Sequence, residues 1–546
     1  MSAKAEMRSQ RPDKRLDRGI GVVLSVLAAM SWLPRASGPI DLRWDGGAYY
    51  LLATSMTQGQ GYRLLSEPGS PNNTTLHPPL LPMFVAAHQL LLGTTDPLTV
   101  GRALRASACL LFALQALAIY LLLRGHIAPT AAFLAVLFWI FHPGNTYFSD
   151  SLCAESLFGL TTILFLILHK RTRERKYFLL AAACALLAFL ERTTGLLLFA
   201  AWAGERMLNR DFKQGTAIAA IALVAAGLWM IYIHQVESSP QYTRPAYAYQ
   251  HADYVYFNIS YAKQIFRLVN PFEPELGYLT PYALATRIYS NAKLLPTEMG
   301  RAVFSWEGGR WISLLVAALV FIGLLFQVVR KRYIIPFLVI LNLAAICITP
   351  FPKQFVRYLL PPSPLFALLF FEVLAWLNAQ SRVHRIGFSR ETVVLSTVAL
   401  LAVIGVEELR DERELYRLHH NQVDYLHNGQ RVSYRLFYYS PGDREIDQGL
   451  DWLRARAKRD DVVAARDPQW VYLRIGLKCV LCPLESNSRV AEQLIDSVPV
   501  RYLFLDENVY RRYTANLINS NSDQWKCTWR GGEDRVRIYE RSDIDQ

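Results

Sequence analysis

The side chains best equipped for chemistry in this chain are carboxylates and guanidiniums that stand far apart in sequence. Asp41 and Asp45 open a polar segment, DLRWDGGAYYLLATSMTQGQGYRLLSEPGSPNNTTLHPPLLPMF. Asp150 and Glu155 sit in SDSLCAESLFGL, Arg102 and Arg105 in RALR, Arg192 in FLERTTG, and Lys353 and Arg357 in PFPKQFVRYLLP. A fixed, ionised carboxylate can take a proton from an acceptor hydroxyl. Guanidiniums grip phosphate oxygens two at a time and stabilise the charge that develops as a phosphate departs. Together these types suit transfer of a group from a phosphate-bearing donor to a hydroxyl, with no nucleotide required. Asp45 is the candidate base and Glu155 the second catalytic acid. Arg102, Arg192, Arg357 and Lys353 are the candidate phosphate ligands, with Asp41, His77 and Asp150 in supporting places.

Each of these residues also has a plainer reading. Asp41 and Asp45 could be solvated loop carboxylates, and Asp45 could cap the helix that follows it. Glu155 could complement a helix dipole, and Arg192 could pair with Glu191. His77, in HPP, is more readily a hydrogen-bonding group than a metal ligand, and His142 reads as structural. No cofactor signature accompanies the acids. Two acids can hold a divalent metal or act without one, so a metal is left open.

The elements that must position these groups are membrane helices. The 546 residues are 52% hydrophobic and only 19% charged, below the quarter usual for soluble chains. Long apolar runs alternate with short basic clusters, so the net charge of +13 reflects loop placement rather than nucleic-acid binding. Apolar segments at 19–36, 103–123, 127–143, 154–169, 177–190, 194–208, 215–234, 311–329, 333–350, 358–378 and 391–407 give about eleven spans. The N-terminal run lacks a cleavage site and reads as a retained span. The run at 78–92 decides the sidedness. The clusters around Lys170–Lys176, Arg206–Lys213, Arg330–Arg332 and Arg382–Arg390 share the cytoplasmic side with the basic N-terminus only if 78–92 does not cross. It therefore reads as a juxtamembrane or re-entrant helix, and Gly46–Gln58 as an amphipathic one.

That topology yields a cytoplasmic N-terminus at 1–18 and an all-α polytopic membrane domain at 19–407. The outer loops fall at 37–101 and 235–310, and an outer domain occupies 408–546. In the outer domain, Glu445–Lys458 and Asn487–Asp496 read as helices. Asp461–Arg466, Val471–Ile475, Val500–Leu505 and Val536–Glu540 read as strands, making a small α/β domain. Of the 7 cysteines, Cys479 and Cys482 form a C-x-x-C without a second pair at zinc spacing, so a disulfide or no bond is expected.

The order of motifs resembles the GT-C glycosyltransferases, and within them glycosyltransferase family 39. That group includes the protein O-mannosyltransferases and the lipid A aminoarabinose transferase. The matching stretches are the acid and aromatic-rich helix at 45–58, GQGY, HPPLLP, RALR, HPGNTYFSDSLCAESLFGL, LLAFLERTTGLLL and RYLLPPSP, spread over residues 19–378. The resemblance implies a polyprenyl-phosphate sugar donor, an inverting transfer and juxtamembrane helices in the first outer loop. It places Asp45 as the loop acid, Glu155 as the second-loop acid and Arg192 near the carrier phosphate. Many relatives have a second acid directly after the loop Asp, where this chain has Gly46. The implied acceptor is a lipid, a glycan or a protein, and the implied setting is a bacterial inner membrane with the site on the extracytoplasmic face. NNTT at 72–75 contains glycosylation sequons. Two rivals stand beside this reading: a lipid or glycan transporter or flippase, which would show internal span repeats and deep ionisable groups, and a non-catalytic scaffold whose outer domain binds a partner.

Overall fold

The computed structural model describes residues 14–69, 73–252, 259–305, 310–381, 398–399, 401–407, 409–410, 413–414, 422–427, 429–507 and 509–542. Helix α1 (Lys14–Met30) leads to the first loop, which holds α2 (Asp45–Thr57) and α3 (Leu80–Leu92). Then follow α4 (Pro97–Arg124), α5 (Pro129–Phe141), α6 (Pro143–Asp150), α7 (Ala154–His169), α8 (Arg175–Glu191), α9 (Leu196–Leu208) and α10 (Phe212–Glu237). The second large loop ends in α11 (Pro281–Val303), and after it come α12 (Arg310–Val329), α13 (Ile334–Ile348), α14 (Phe355–Leu359) and α15 (Ser363–Ser381).

Local chemistry sets several of these boundaries. Asp96 accepts the Thr99 N–H and Pro97 takes the first position of α4, where a missing N–H costs nothing. Asp211 caps α10 in the same way. Gly93 closes α3 at φ 62, a left-handed turn that glycine adopts without strain.

Four helical stretches among the described residues are long and apolar enough to cross a membrane: Arg15–Arg35, α4, α10 and α12. A fifth span is made if α14 and α15, bent by 71°, are taken together. Helices α5, α7 and α13 are apolar but shorter, at 13, 16 and 15 residues. The chain is thus an integral membrane protein, and among the described residues fewer full-length spans are present than the eleven expected. Of the expected span at 391–407, residues 398–399 and 401–407 are helical, and the rest lies outside the described residues, as does Asn72 of the sequon stretch. Buried Leu24, Phe112, Trp139, Phe165, Trp202, Val320 and Leu368 tie the bundle into one core.

Helix α3 forms where the interfacial segment was expected. Helix α2 also forms, but it is not amphipathic: every residue from Gly46 to Ser55 is buried. Helix α11, inside the expected loop 235–310, was not anticipated. Its Pro296 reads as a breaker in sequence, yet the helix continues through it.

The C-terminal region is a small α/β unit. A hairpin of β1 (Gln422–His427) and β2 (Gln430–Arg435) precedes α16 (Pro441–Arg456). Strands β3 (Val462–Ala465), β4 (Lys478–Leu481), β5 (Val500–Leu505), β6 (Trp525–Arg530) and β7 (Arg537–Arg541) form a sheet of order β4-β3-β5-β7-β6. Strand β3 runs parallel to β4 and β5, and β7 runs antiparallel to β5 and β6. Helices α17 (Pro468–Ile475), α18 (Ser488–Asp496) and α19 (Val509–Ser520) connect the strands.

Residues 471–475 are therefore helical, not a strand. Asp467 caps the helix, Pro468 occupies its first position, and Gly476 ends it at φ 76. Cys479 and Cys482 are both buried free thiols, so the C-x-x-C is unbonded. One sheet face, with Val463, Tyr502 and Phe504, shares a core with Leu450 and Leu453 of α16 and Trp470 and Val471 of α17, and that core continues to Tyr49 and Tyr50 of α2. The other packs on α18, α19 and Tyr247 and Tyr249 of the second loop.

Candidate active site

The candidate base and the second acid are brought together by a short parallel bridge between two loops. Asp41 pairs with Ser151; the Asp41 N–H donates to the Asp150 carbonyl at 3.0 Å and the Leu152 N–H to the Asp41 carbonyl at 2.9 Å. Asp45 lies four residues beyond Asp41, and Glu155 four beyond Ser151. Each then falls in the first turn of a helix, α2 and α7. Gly46 makes the approach possible: a β-carbon there would lie 3.1 Å from the Asp41 carbonyl oxygen and 3.3 Å from Leu152. A side chain at position 46 would crowd this junction.

Asp45 does not cap α2. Trp44 holds the cap position and makes no side-chain cap bond. The Asp45 carboxylate instead receives Arg357 Nη2 at 2.6 Å. The same guanidinium donates through Nε to Glu155 at 2.5 Å, and Arg192 Nη1 reaches the same Glu155 oxygen at 2.7 Å. Arg357 and Arg192 come from α14 and from the turn after α8, so four separate chain segments build one network. Glu155 is 4% exposed. Burial opposes ionisation of Asp45, but Arg357, His77 and Arg192 hold its carboxyl below the ordinary range.

Asp45, Arg192 and Arg357 face an open cleft with a cavity volume of about 120 Å³, and Glu155 lies behind them. Asp45, His77, Arg192 and Arg357 line it, together with Tyr49, Tyr261, Tyr358, Thr193, Thr194 and Glu191. The His77 ring stands edge-on to Tyr49 at 4.9 Å. Burial lowers its pKa, and Arg357 adds to this against the pull of Asp45. Arg192 lies 5.5 Å over the Tyr358 ring. The cleft thus combines cations for an anionic group, a carboxylate fixed beside them, and hydroxyls around both.

The remaining sequence candidates fall elsewhere. Arg102 is exposed on α4, and its neighbour in the motif, Arg105, is buried against Asp150 at 2.8 Å. Lys353 is exposed beside the cleft, which is lined by its neighbours Phe351 and Gln354 instead. Asp150 also accepts the Phe437 N–H at 2.6 Å. Asp41 pairs with Arg43 at 2.7 Å, and Arg43 reaches Asp443 at 2.7 Å. Asp41 and Asp150 therefore join the membrane helices to the C-terminal unit rather than entering the cleft. His142 bridges the start of α6 and the Arg301 carbonyl at 2.8 Å, a structural place. Among the described residues no group of three or more His, Cys, Asp or Glu is set to hold a metal.

No family model matches the chain, and no curated protein matches its sequence. Solved structures do. The archaeal oligosaccharyltransferase AglB from Archaeoglobus fulgidus, in complex with an inhibitory peptide and a dolichol-phosphate, superposes with a TM-score of 0.56 at 12% identity, over 98% of this chain and 75% of its own. ArnT from Cupriavidus metallidurans, bound to undecaprenyl phosphate, does so with a TM-score of 0.50 at 10% identity, over 97% of this chain and 98% of its own. The chain has the GT-C fold. Within that fold, sequence reading missed Glu191 as a lining residue in its own right, because the adjacent Arg192 offered an obvious partner. The tyrosines and threonines of the cleft gave no signal, since hydroxyl side chains are common in loops.

Proposed function

We propose that the chain is a glycosyltransferase that moves a sugar from a polyprenyl-phosphate donor to an acceptor hydroxyl, with inversion, at the extracytoplasmic face. The observation that carries this reading is Arg357 shared between Asp45 and Glu155 at the cleft wall. Two carboxylates and two guanidiniums balance in charge, so the resting network is neutral. A donor phosphate entering beside Arg192 and Arg357 competes with the carboxylates for the same N–H groups. Withdrawal of Arg357 from Asp45 raises the basicity of that carboxylate when the donor is in place. The acceptor oxygen then attacks the anomeric carbon and its proton passes to Asp45. The bond from that carbon to the phosphate oxygen breaks, and its electron pair leaves with the phosphate, stabilised by the two arginines. The basic loops described above support the extracytoplasmic placement, and the GT-C fold of two proteins solved with lipid phosphates supports the donor class.

The test is transfer from a polyprenyl-phosphate sugar by membranes containing the protein, followed by mass spectrometry of the products. Asp45→Asn should abolish transfer while membrane insertion and the melting temperature stay near wild type. Undiminished transfer by that variant would remove Asp45 from the role of base.

A further inference from the structure

Glu191 is a lining carboxyl that the network above leaves out. Its side chain is 1% exposed, and among the described residues neither carboxyl oxygen has a hydrogen-bond partner. Its neighbour does not serve it. Arg192 is extended (φ −145, ψ 135) and turns its guanidinium to Glu155. The backbone then doubles back at once: a β-carbon at Gly195 would lie 2.3 Å from the Phe189 nitrogen, so the turn after Glu191 is closely packed. A buried carboxyl without donors is costly. Such a group at the wall of a cleft calls for a partner from outside the chain. Thr193, Thr194 and Tyr49 line the same cleft, so hydroxyl partners already surround the space into which a ligand must fit.

We propose that the Glu191 carboxyl binds hydroxyl groups of the transferred sugar. This rests on the glycosyl-transfer reading and adds which group recognises the sugar rather than the phosphate. The chemistry favours a polyhydroxylated ring over the lipid phosphate, because the carboxyl oxygens accept from O–H donors, which a ring supplies and an ionised phosphate does not. Two free oxygens suit two neighbouring hydroxyls at once. Arg192 and Arg357 bind the anionic end of the donor, and Glu191 the ring beyond it.

The experiment measures binding by the purified full chain in detergent. The probes are undecaprenyl phosphate and two sugar-bearing forms of it, one carrying a hexose and one a pentose. Wild type should bind at least one sugar-bearing lipid more tightly than undecaprenyl phosphate. Glu191→Ala should lose that advantage, by about tenfold or more, and Glu191→Gln should lose part of it. Both variants should keep wild-type affinity for undecaprenyl phosphate, which also shows that they fold. Variants that retain the full advantage, variants that lose affinity for all three lipids equally, or a wild type with no advantage would each overturn the assignment. A wild type that binds none of the three overturns the glycosyl-transfer reading, and this inference falls with it.

Discussion

The position of Asp45 depends on a strained residue beside it and on a clamp from the C-terminal unit. Trp44 has φ 60 and ψ −132, a conformation that residues with a β-carbon avoid and that costs about 1–3 kcal/mol to hold. Three contacts offset that cost. The Trp44 N–H donates to Asp467 Oδ2 at 2.8 Å, Asp467 Oδ1 accepts the Trp470 N–H at 3.1 Å, and the Arg466 guanidinium lies 3.9 Å from the centre of the Trp44 ring. A hydrogen bond to a charged group contributes about 1.5–3 kcal/mol, and a cation over a partly exposed ring about 0.5–1 kcal/mol. Strain and clamp are therefore of similar size, and removing Asp467 takes away the larger part of what offsets the strain. Residues 43–45 should then relax, and a shift of about 1 Å in a catalytic group costs about 100-fold in rate. We expect Asp467→Ala to lower transfer by about that factor. Trp44→Gly placed in the same chain should recover most of it, because glycine holds the conformation without strain. The assay compares transfer and melting temperature in wild type, the two single variants and the double variant. Transfer by Asp467→Ala at the wild-type rate, or a double variant no better than Asp467→Ala, would refute the clamp.

Two further perturbations follow from the same contacts. Arg357→Ala leaves Asp45 and Glu155 facing each other with only Arg192 to serve them, so it should destabilise the protein by about 3–5 kcal/mol; adding Asp45→Asn and Glu155→Gln should recover part of that loss in a denaturation series. Glu67 accepts from Tyr247 at 3.4 Å, and burial pushes its carboxyl up to about 7 against the help of Gln250, Tyr247 and Lys478. A raised carboxyl holds its proton more tightly in the folded chain, so stability is greatest below about 4.5 and falls as pH rises through about 7, by at most about 3 kcal/mol at 1.36 kcal/mol per unit. Glu67→Gln should flatten that slope between pH 5 and pH 8, and an unchanged slope would show that another group titrates.

Much of the site was legible because charge reports sidedness. Asp45, Glu155, Arg192 and Arg357 could be assigned to one membrane face from loop charges alone, and in the structure they meet. Sidedness does not fix which way a residue points around its helix. Successive residues turn by roughly 100°, so Gly101, Leu104 and Arg105 face inward while Arg102 faces out. Lys353 fails for a similar reason, since the short turn at Pro352–Gln354 presents Gln354 to the cleft instead. The segment VYLRI at 471–475 alternates like a strand, but its flanking Asp467, Pro468 and Gly476 are helix-ending residues and outweigh the alternation. The Asn-Gly pair at 428–429 was an available hairpin signal for β1 and β2, with Gly429 at φ 79.

The C-terminal unit shows why the first loop is held so closely. In an open α/β sheet, ligands bind at the carboxyl ends of parallel strands where the connections diverge. Here that place lies between β3 and β5, because β3 leads through α17 to the edge strand β4 while β5 leads through α19 the other way. Arg466 follows β3, Asp506 follows β5, and they pair at 2.8 Å. The ring of Trp44 lies on that Arg466, and Asp467 holds the Trp44 N–H. Arg43 reaches Asp443 alongside, and a β-carbon at Gly47 would lie 2.9 Å from that of Gln469 on α17. The crevice in which such a domain would receive a ligand therefore receives the protein's own loop. Its rigid elements fix the residue immediately before Asp45, so the unit that carries no nucleotide motif still bears directly on the cleft.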